Sequence, residues 1–365
     1  MGHLSGGKEE AYEALAQRLS RFPVGVVIND TLMEILKLLY TEGEAQVGSK
    51  FPVKPRPLTE IADLTGLSEK VAVSVLNEMS KKGLVVDFSR KGNIYYMLSP
   101  VVVGFFEYSM MRADGANVKQ LSGLYEEYFN NEAVREEIFG ANTAMFRALV
   151  YEYYIPELIR TEVLDYEKAE MVIRNSGGGG LSICACRHKS YHLGKTCRYP
   201  MKDICTSLGR PAEWLIRHGF ARRTSVDELL SNLESTYKLG LVLACDNVID
   251  EPAYICHCCG CCCGLLKSIK ENGISAVEPS NFMLQIDSES CLGCNACVDI
   301  CHVSALESSE EAEPALKREV CIGCGACVSV CPGDSLRMVR SDEISTPPQN
   351  KMAQMINIAV ERGRF

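Results

Sequence analysis

The chain has 365 residues, 47% hydrophobic and 23% charged, with a net charge of −9. That length predicts two or three domains and that composition excludes a largely disordered chain. The acidic balance argues against a protein built mainly to grip nucleic acid. No apolar run approaches the ~20 residues that a membrane span needs. The opening residues lack the basic and apolar regions of an export signal. The outlying number is cysteine: all 19 fall between Cys184 and Cys331. With no export signal, thiols this dense read as metal or cluster ligands rather than a disulfide framework. A cytoplasmic location, in an anaerobe able to protect such clusters, is the expectation.

In chain order, residues 1 to about 110 read as one unit. Thr31 and Glu34 supply the T-x-x-E of a capping box that opens a helix over Leu32–Tyr40. Leu58–Thr65 reads as a short helix ended by Gly66. Ser68 opens a longer helix to Lys82, with Gly83 at its end. Leu84–Phe88 and Ile94–Leu98 are β-prone runs joined by a turn, a hairpin signal. This order resembles a winged helix-turn-helix domain. The second helix of the motif carries Glu69, Lys70, Asn77 and Glu78 and is not basic. The resemblance therefore implies a docking or dimerisation module, through which the N-terminal half would form a homodimer, ahead of DNA binding.

Residues 111 to about 170 are predicted helical, from Val118, Leu121, Tyr125 and Tyr128 and from Ile138, Met145, Phe146 and Leu149 at helical spacing. Asn175–Gly180 reads as a tight loop or hinge. Gly194-Lys195-Thr196 only mimics the end of a phosphate-binding loop, because Lys189 stands where the earlier glycine is needed.

The first thiol group is Cys184, Cys186, Cys197 and Cys205. Two thiolates in C-x-C face one side of an extended strand, so these four could surround a 4Fe–4S cluster, with zinc or a redox disulfide as alternatives. Arg187 and Lys195 would offset its negative charge. His188 and His192 read as surface or outer-shell residues. Arg210, Arg217, Arg222 and Arg223 form a basic patch, either solvated or a dock for an acidic carrier. Ser225 and Glu228 cap a helix to about Leu239.

The second group is Cys256, Cys258, Cys259, Cys261, Cys262 and Cys263, around His257 and Gly260. Adjacent residues of an extended chain face opposite ways, so one cubane would use only a subset, with Cys205 or Cys245 completing the shell. A larger non-cubane cluster, a dithiol redox site and soft-metal trafficking are the alternatives. The C-x-C-R and CC-x-CCC pair resembles Cys-rich ferredoxin-like proteins of anaerobes.

Near the C-terminus, Cys291, Cys294, Cys297 and Cys301 follow C-x2-C-x2-C-x3-C. Cys321, Cys324, Cys327 and Cys331 repeat the spacing, followed by Pro332. Over residues 286–340 the chain resembles the bacterial two-cluster ferredoxin family. The resemblance implies one 4Fe–4S cluster on Cys291, Cys294, Cys297 and Cys331 and another on Cys321, Cys324, Cys327 and Cys301. Gly293 and Gly323 should bend the loops and aim N–H groups at sulfur. The fourth cysteine of each run is expected to open the helix that follows. His302 stands where the family has proline. Glu307, Glu310, Glu311 and Glu313 form an acidic insertion.

The predicted fold class is α+β multidomain. It comprises a winged-helix-like domain at 1–110, a helical connecting region at 111–175, a Cys-rich metal or cluster domain at 176–285, a bacterial ferredoxin-like domain at 286–340 and a tail at 341–365. The expected function is electron transfer by a multi-cluster iron–sulfur protein, two clusters plus one or two central ones, serving redox protein partners of an anaerobic oxidoreductase. Two alternatives are a reductase with its catalytic centre at Cys256–Cys263 and a redox-sensing winged-helix regulator.

Overall fold

A computed structural model describes residues 6–112, 117–157, 160, 163–309 and 313–364. Helices and sheets mix throughout, as expected of an α+β chain. The N-terminal part holds α1 (Gly6–Leu19), α2 (Asp30–Leu39), α3 (Glu42–Ser49), β1 (Arg56–Pro57), α4 (Leu58–Thr65), α5 (Glu69–Lys81), β2 (Val85–Arg90) and β3 (Asn93–Leu98). Leu15, Leu32, Ile35, Leu36, Leu76, Met79 and Leu98 are fully buried in its core. The capping box lies elsewhere than at Thr31. Asn29 caps α2, its side chain accepting the Leu32 N–H at 2.8 Å, while Thr31 sits inside the first turn and donates to Glu127. The T-x-x-E that closes a capping box is Thr41 and Glu44, opening α3. Strands β2 and β3 form the expected hairpin, and β1 pairs with the far side of β3. Lys91 and Gly92 both have positive φ, 51° and 81°. This pair of left-handed residues makes a two-residue turn whose twist suits the strands.

Next come α6 (Phe106–Met110), α7 (Val118–Asn130) and α8 (Glu132–Phe139), which fit the helical pattern. The pattern then misleads. Phe146–Leu149 is a fully buried strand, β4, not a helix; all four residues, Arg147 included, are buried, and a run buried on both faces has no periodicity to separate the two. It joins a seven-stranded sheet with β5 (Gly179–Ser182), β6 (Cys205–Leu208), β7 (Arg222–Thr224), β8 (Val242–Asp246), β9 (Tyr254–Cys258) and β10 (Val277–Glu278). The order is β10-β4-β8-β9-β6-β5-β7, antiparallel except where β10 meets β4. Between its strands run α9 (Ala169–Ser176), α10 (Ala185–His192), α11 (Gly209–Arg217), α12 (Val226–Lys238) and α13 (Gly264–Asn272); α11 and α12 pack on β5, α9 packs on α12, and α10 packs on α6 and α7. The glycine run is not a hinge. Gly177 ends α9 at φ 72°, and Gly179 and Gly180 lie inside the sheet. A Cβ on Gly179 would strike the Ser207 carbonyl, and one on Gly180 would stand 2.9 Å from the Ala221 Cβ.

The C-terminal part pairs β11 (Phe282–Ile286) with β14 (Leu336–Arg340), enclosing α14 (Ala296–Ile300), β12 (Leu306–Glu307) and β13 (Ala315–Leu316). Among the contacts that bind it to the central part, Arg340 pairs with Glu167 at 2.8 Å, and Arg147 on β4 donates to the Ser345 carbonyl at 2.9 Å. Helix α15 (Lys351–Glu361) returns to the N-terminal part, where Arg364 and Arg362 hold Glu137. Of the acidic insertion, Glu310 and Glu311 lie outside the described residues. Glu307 pairs with Lys317, and Glu313 accepts from Ser288. Among the described residues no helix is long and apolar enough to cross a membrane.

Candidate metal centres

In the C-terminal part, Cys291, Cys294, Cys297 and Cys331 line one small cavity, of about 20 Å³. Cys301, Cys321, Cys324 and Cys327 interact electrostatically with one another across the repeat. Each fourth cysteine thus lies beside the other run. It does so from the end of a turn rather than the start of a helix. Cys301 follows α14, and Cys331 follows the single turn Val328–Val330. Closing the helical turn swings the thiol back across the repeat.

The surroundings suit thiolates. The Ala305 N–H reaches the Cys301 sulfur at 3.1 Å, and the Gly323 N–H, freed by φ 65°, reaches Cys321. Cys331 is burdened by burial, yet the Ser335 hydroxyl and nearby backbone N–H groups hold its thiol below the usual range. Burial pushes Cys324 up to about 12. A buried thiol with that cost needs a metal's charge to ionise at neutral pH.

The eleven remaining cysteines divide differently from their order in sequence. Cys184, Cys186, Cys197 and Cys205 do not converge. Cys197 lies with Cys259, Cys261 and Cys262, their four sulfurs all within 4.8 Å of one another. Cys184 and Cys186 join a second group by sulfur–sulfur contacts that run Cys184–Cys186–Cys263–Cys258–Cys256–Cys205. The Cys263–Cys258 contact is 3.3 Å. Sheet register builds this group. Cys256 and Cys258 share one face of β9, and the β6–β9 pairing of Thr206 with Ile255 carries Cys205 opposite Cys256. Cys245 joins neither group. It is buried in β8, in an apolar cluster with Leu149 and Ile255, and burial raises its thiol pKa.

Arg187 stands between the two groups, 2% exposed. It donates to the carbonyls of Pro200 at 2.9 Å and His257 at 2.8 Å. Burial opposes its charge, but Cys184 and Cys259 outweigh that and raise its pKa. Lys195 does not share this role. It pairs with Glu126 at 2.5 Å, as Lys189 also does. Hydrogen bonding from Cys262, with Arg187 assisting, draws the Cys259 thiol down to about 4. Hydrogen bonds from Cys184 and Cys263 likewise lower Cys186.

The histidines are structural. His257 bonds Thr236 at 2.8 Å and Thr206 at 3.2 Å, and burial lowers it to about 3, so it stays neutral. His188 donates from Nδ1 to the Met110 carbonyl at 2.6 Å and meets His192 through Nε2. The basic patch is internally neutralised: Arg210 faces Glu251, Arg217 faces Asp87, Arg222 faces Glu228, and Arg223 faces Glu213.

Sequence reading missed a cavity. About 130 Å³ of space opens onto Cys186, Cys205, Cys256 and Cys258, walled on the far side by Phe106, Phe129, Phe139 and Phe146. Glu107 lines it, accepting the Gly104 N–H at 2.8 Å, and burial pushes its carboxyl up to about 8. Those walls come from three helices and from β4, all far from the cysteines in sequence, so no local motif marks them.

A family model described as a 4Fe-4S dicluster domain matches residues 284–338. No curated protein and no solved structure matches the chain. The C-terminal segment is thus similar to a ferredoxin-like iron–sulfur domain, and the likeness stops there.

Proposed function

We propose that this chain is an electron-transfer protein with two 4Fe–4S clusters in its C-terminal part and a third iron–sulfur centre at the six-thiol group. The observation that carries the reading is the crossed repeat, in which each run of three cysteines meets the fourth of the other. Clusters held there supply one-electron transfer and no substrate chemistry. The family match, the amide-to-sulfur hydrogen bonds and the cavity around Cys291 support the assignment. The six-thiol group has the donors for one cluster on four of its cysteines, with Arg187 offsetting charge.

Residues 1–110 serve as a winged-helix-like docking module, by which the protein would meet redox partners of an oxidoreductase or a second copy of itself. Its hairpin is engaged internally: Trp214, Arg217 and His218 all bond Asp87 on β2. That supports a positioning role ahead of the redox-sensing regulator. Anaerobic iron and sulfide quantification with an EPR redox titration tests the whole reading. About twelve irons per chain, falling to about eight in Cys186→Ser with the ferredoxin-type signals unchanged, is the expected result. Iron-free protein would end the proposal.

The cavity favours a second reading, a reductase whose substrate site adjoins the six-thiol group. Its phenylalanine walls suit a small apolar molecule, and Glu107 offers one polar anchor. A change in the central EPR signal when such molecules are added would distinguish it from a pure carrier.

A further inference from the structure

We infer that Cys197, Cys259, Cys261 and Cys262 hold a single tetrahedral zinc ion rather than an iron–sulfur cluster. The argument rests on size. Zinc–thiolate bonds of about 2.3 Å put the four sulfurs of a tetrahedral site about 3.8 Å apart. Here Cys197 lies 3.9 Å from Cys259 and 3.6 Å from Cys261. Cys261 lies 3.4 Å from Cys259 and 3.7 Å from Cys262. A four-iron cube is held from its corner irons and keeps its cysteines farther apart than one ion does.

The same structure supplies the contrast. Among the described residues, this is the only set of three or more Cys, His, Asp or Glu side chains whose ligand atoms all close to within 4.8 Å. Neither ferredoxin-type set draws in so tightly, although both are thiol quartets in the same chain.

The backbone explains the compactness. Residues 259–263 form a tight turn, in which the Cys263 N–H donates to the Cys259 carbonyl at 3.1 Å. Three thiols from one turn converge on a point, and Cys197 closes the fourth side from its own loop. Gly260 is required at the tip, since a Cβ there would strike the His302 backbone. Four thiolates around a divalent ion leave a net charge of −2, and Arg187 and Arg198 both interact with these sulfurs. Cys259 and Cys262 are buried, so no coordination position opens to solvent on their side. A closed all-thiolate tetrahedron is a structural zinc site.

The test is metal analysis of the anaerobically purified holoprotein and of two variants, Cys197→Ser and Cys261→Ser. Cys261 is exposed, so its serine variant should fold even where Cys197→Ser does not. The expected result is one zinc per chain, reduced at least tenfold in either variant, with iron content and the ferredoxin-type EPR signals unchanged. Cobalt exchanged into the zinc site should show the visible bands of a tetrahedral thiolate complex. Iron lost in place of zinc, or zinc retained in both variants, overturns the inference. The iron and EPR readings stand apart from the zinc reading, so failure of the electron-transfer proposal would be seen separately.

Discussion

His302 clamps Gly260. The Gly260 N–H donates to His302 Nδ1 at 3.2 Å, and His302 Nε2 donates to the Gly240 carbonyl at 2.8 Å. Both ring nitrogens are thus spoken for, and the imidazole is held neutral as the Nε2–H tautomer. His302 follows Cys301 of the C-terminal repeat, whereas Gly260 lies between Cys259 and Cys261. His302 is therefore a fastener between the C-terminal part and the central thiols.

His302→Ala should leave both backbone groups without their partner. The expected loss is about 1–3 kcal/mol of unfolding free energy, read from anaerobic urea denaturation. The iron content should not change, because the imidazole ligates nothing in this arrangement.

Glycine substitutions separate close approach from flexibility. Gly179→Ala drives a Cβ into the Ser207 carbonyl of a paired strand and should cost at least about 3 kcal/mol, or abolish soluble expression. Gly123→Ala, in α7 with nothing near the new methyl, should be neutral or stabilising by up to about 1 kcal/mol. Thermal unfolding of the two variants side by side checks the contrast.

Glu107 predicts a pH dependence. Burial raises its carboxyl to about 8 when folded, against about 4.3 when unfolded. Between those values the folded chain binds the extra proton, so stability is greatest at the acid end and falls as pH rises toward 8. The slope should not exceed about 1.4 kcal/mol per pH unit. Glu107→Gln should flatten it, as measured by urea midpoints at three pH values from 6 to 8.

Cys245→Ala should retain full iron content, because Cys245 packs among Leu149, Leu243 and Ile255 away from both thiol groups. A loss of about 1 kcal/mol is expected from the removed sulfur. Iron released by this substitution would show that Cys245 completes a cluster after all.

What the sequence made legible depended on distance along the chain. The ferredoxin-type repeat was readable because its ligands are set by turns of two and three residues. Strand parity told in advance only that the thiols from Cys256 to Cys263 cannot all serve one centre. The partition of the remaining thiols did not, because Cys197 meets Cys259 only after the order β9-β6-β5 has folded the chain back. Cys184, Cys186, Cys197 and Cys205 looked like one quartet through nearness in sequence alone. Phe146–Leu149 and the Gly179–Gly180 end of Asn175–Gly180 were misread for a related reason: buried strands carry no alternation, and Gly179 and Gly180 answer to a neighbouring strand rather than to a turn.

Arg187 has one more consequence. Its Nε has no partner within the protein, while its other nitrogens are anchored by carbonyls and its charge is shared by Cys184 and Cys259. One cation therefore serves two anionic neighbours. The carbonyls of Pro200 and His257 already hold the guanidinium in place, so each thiol group finds its counter-charge ready whether or not its sibling is filled, and the two centres should mature independently.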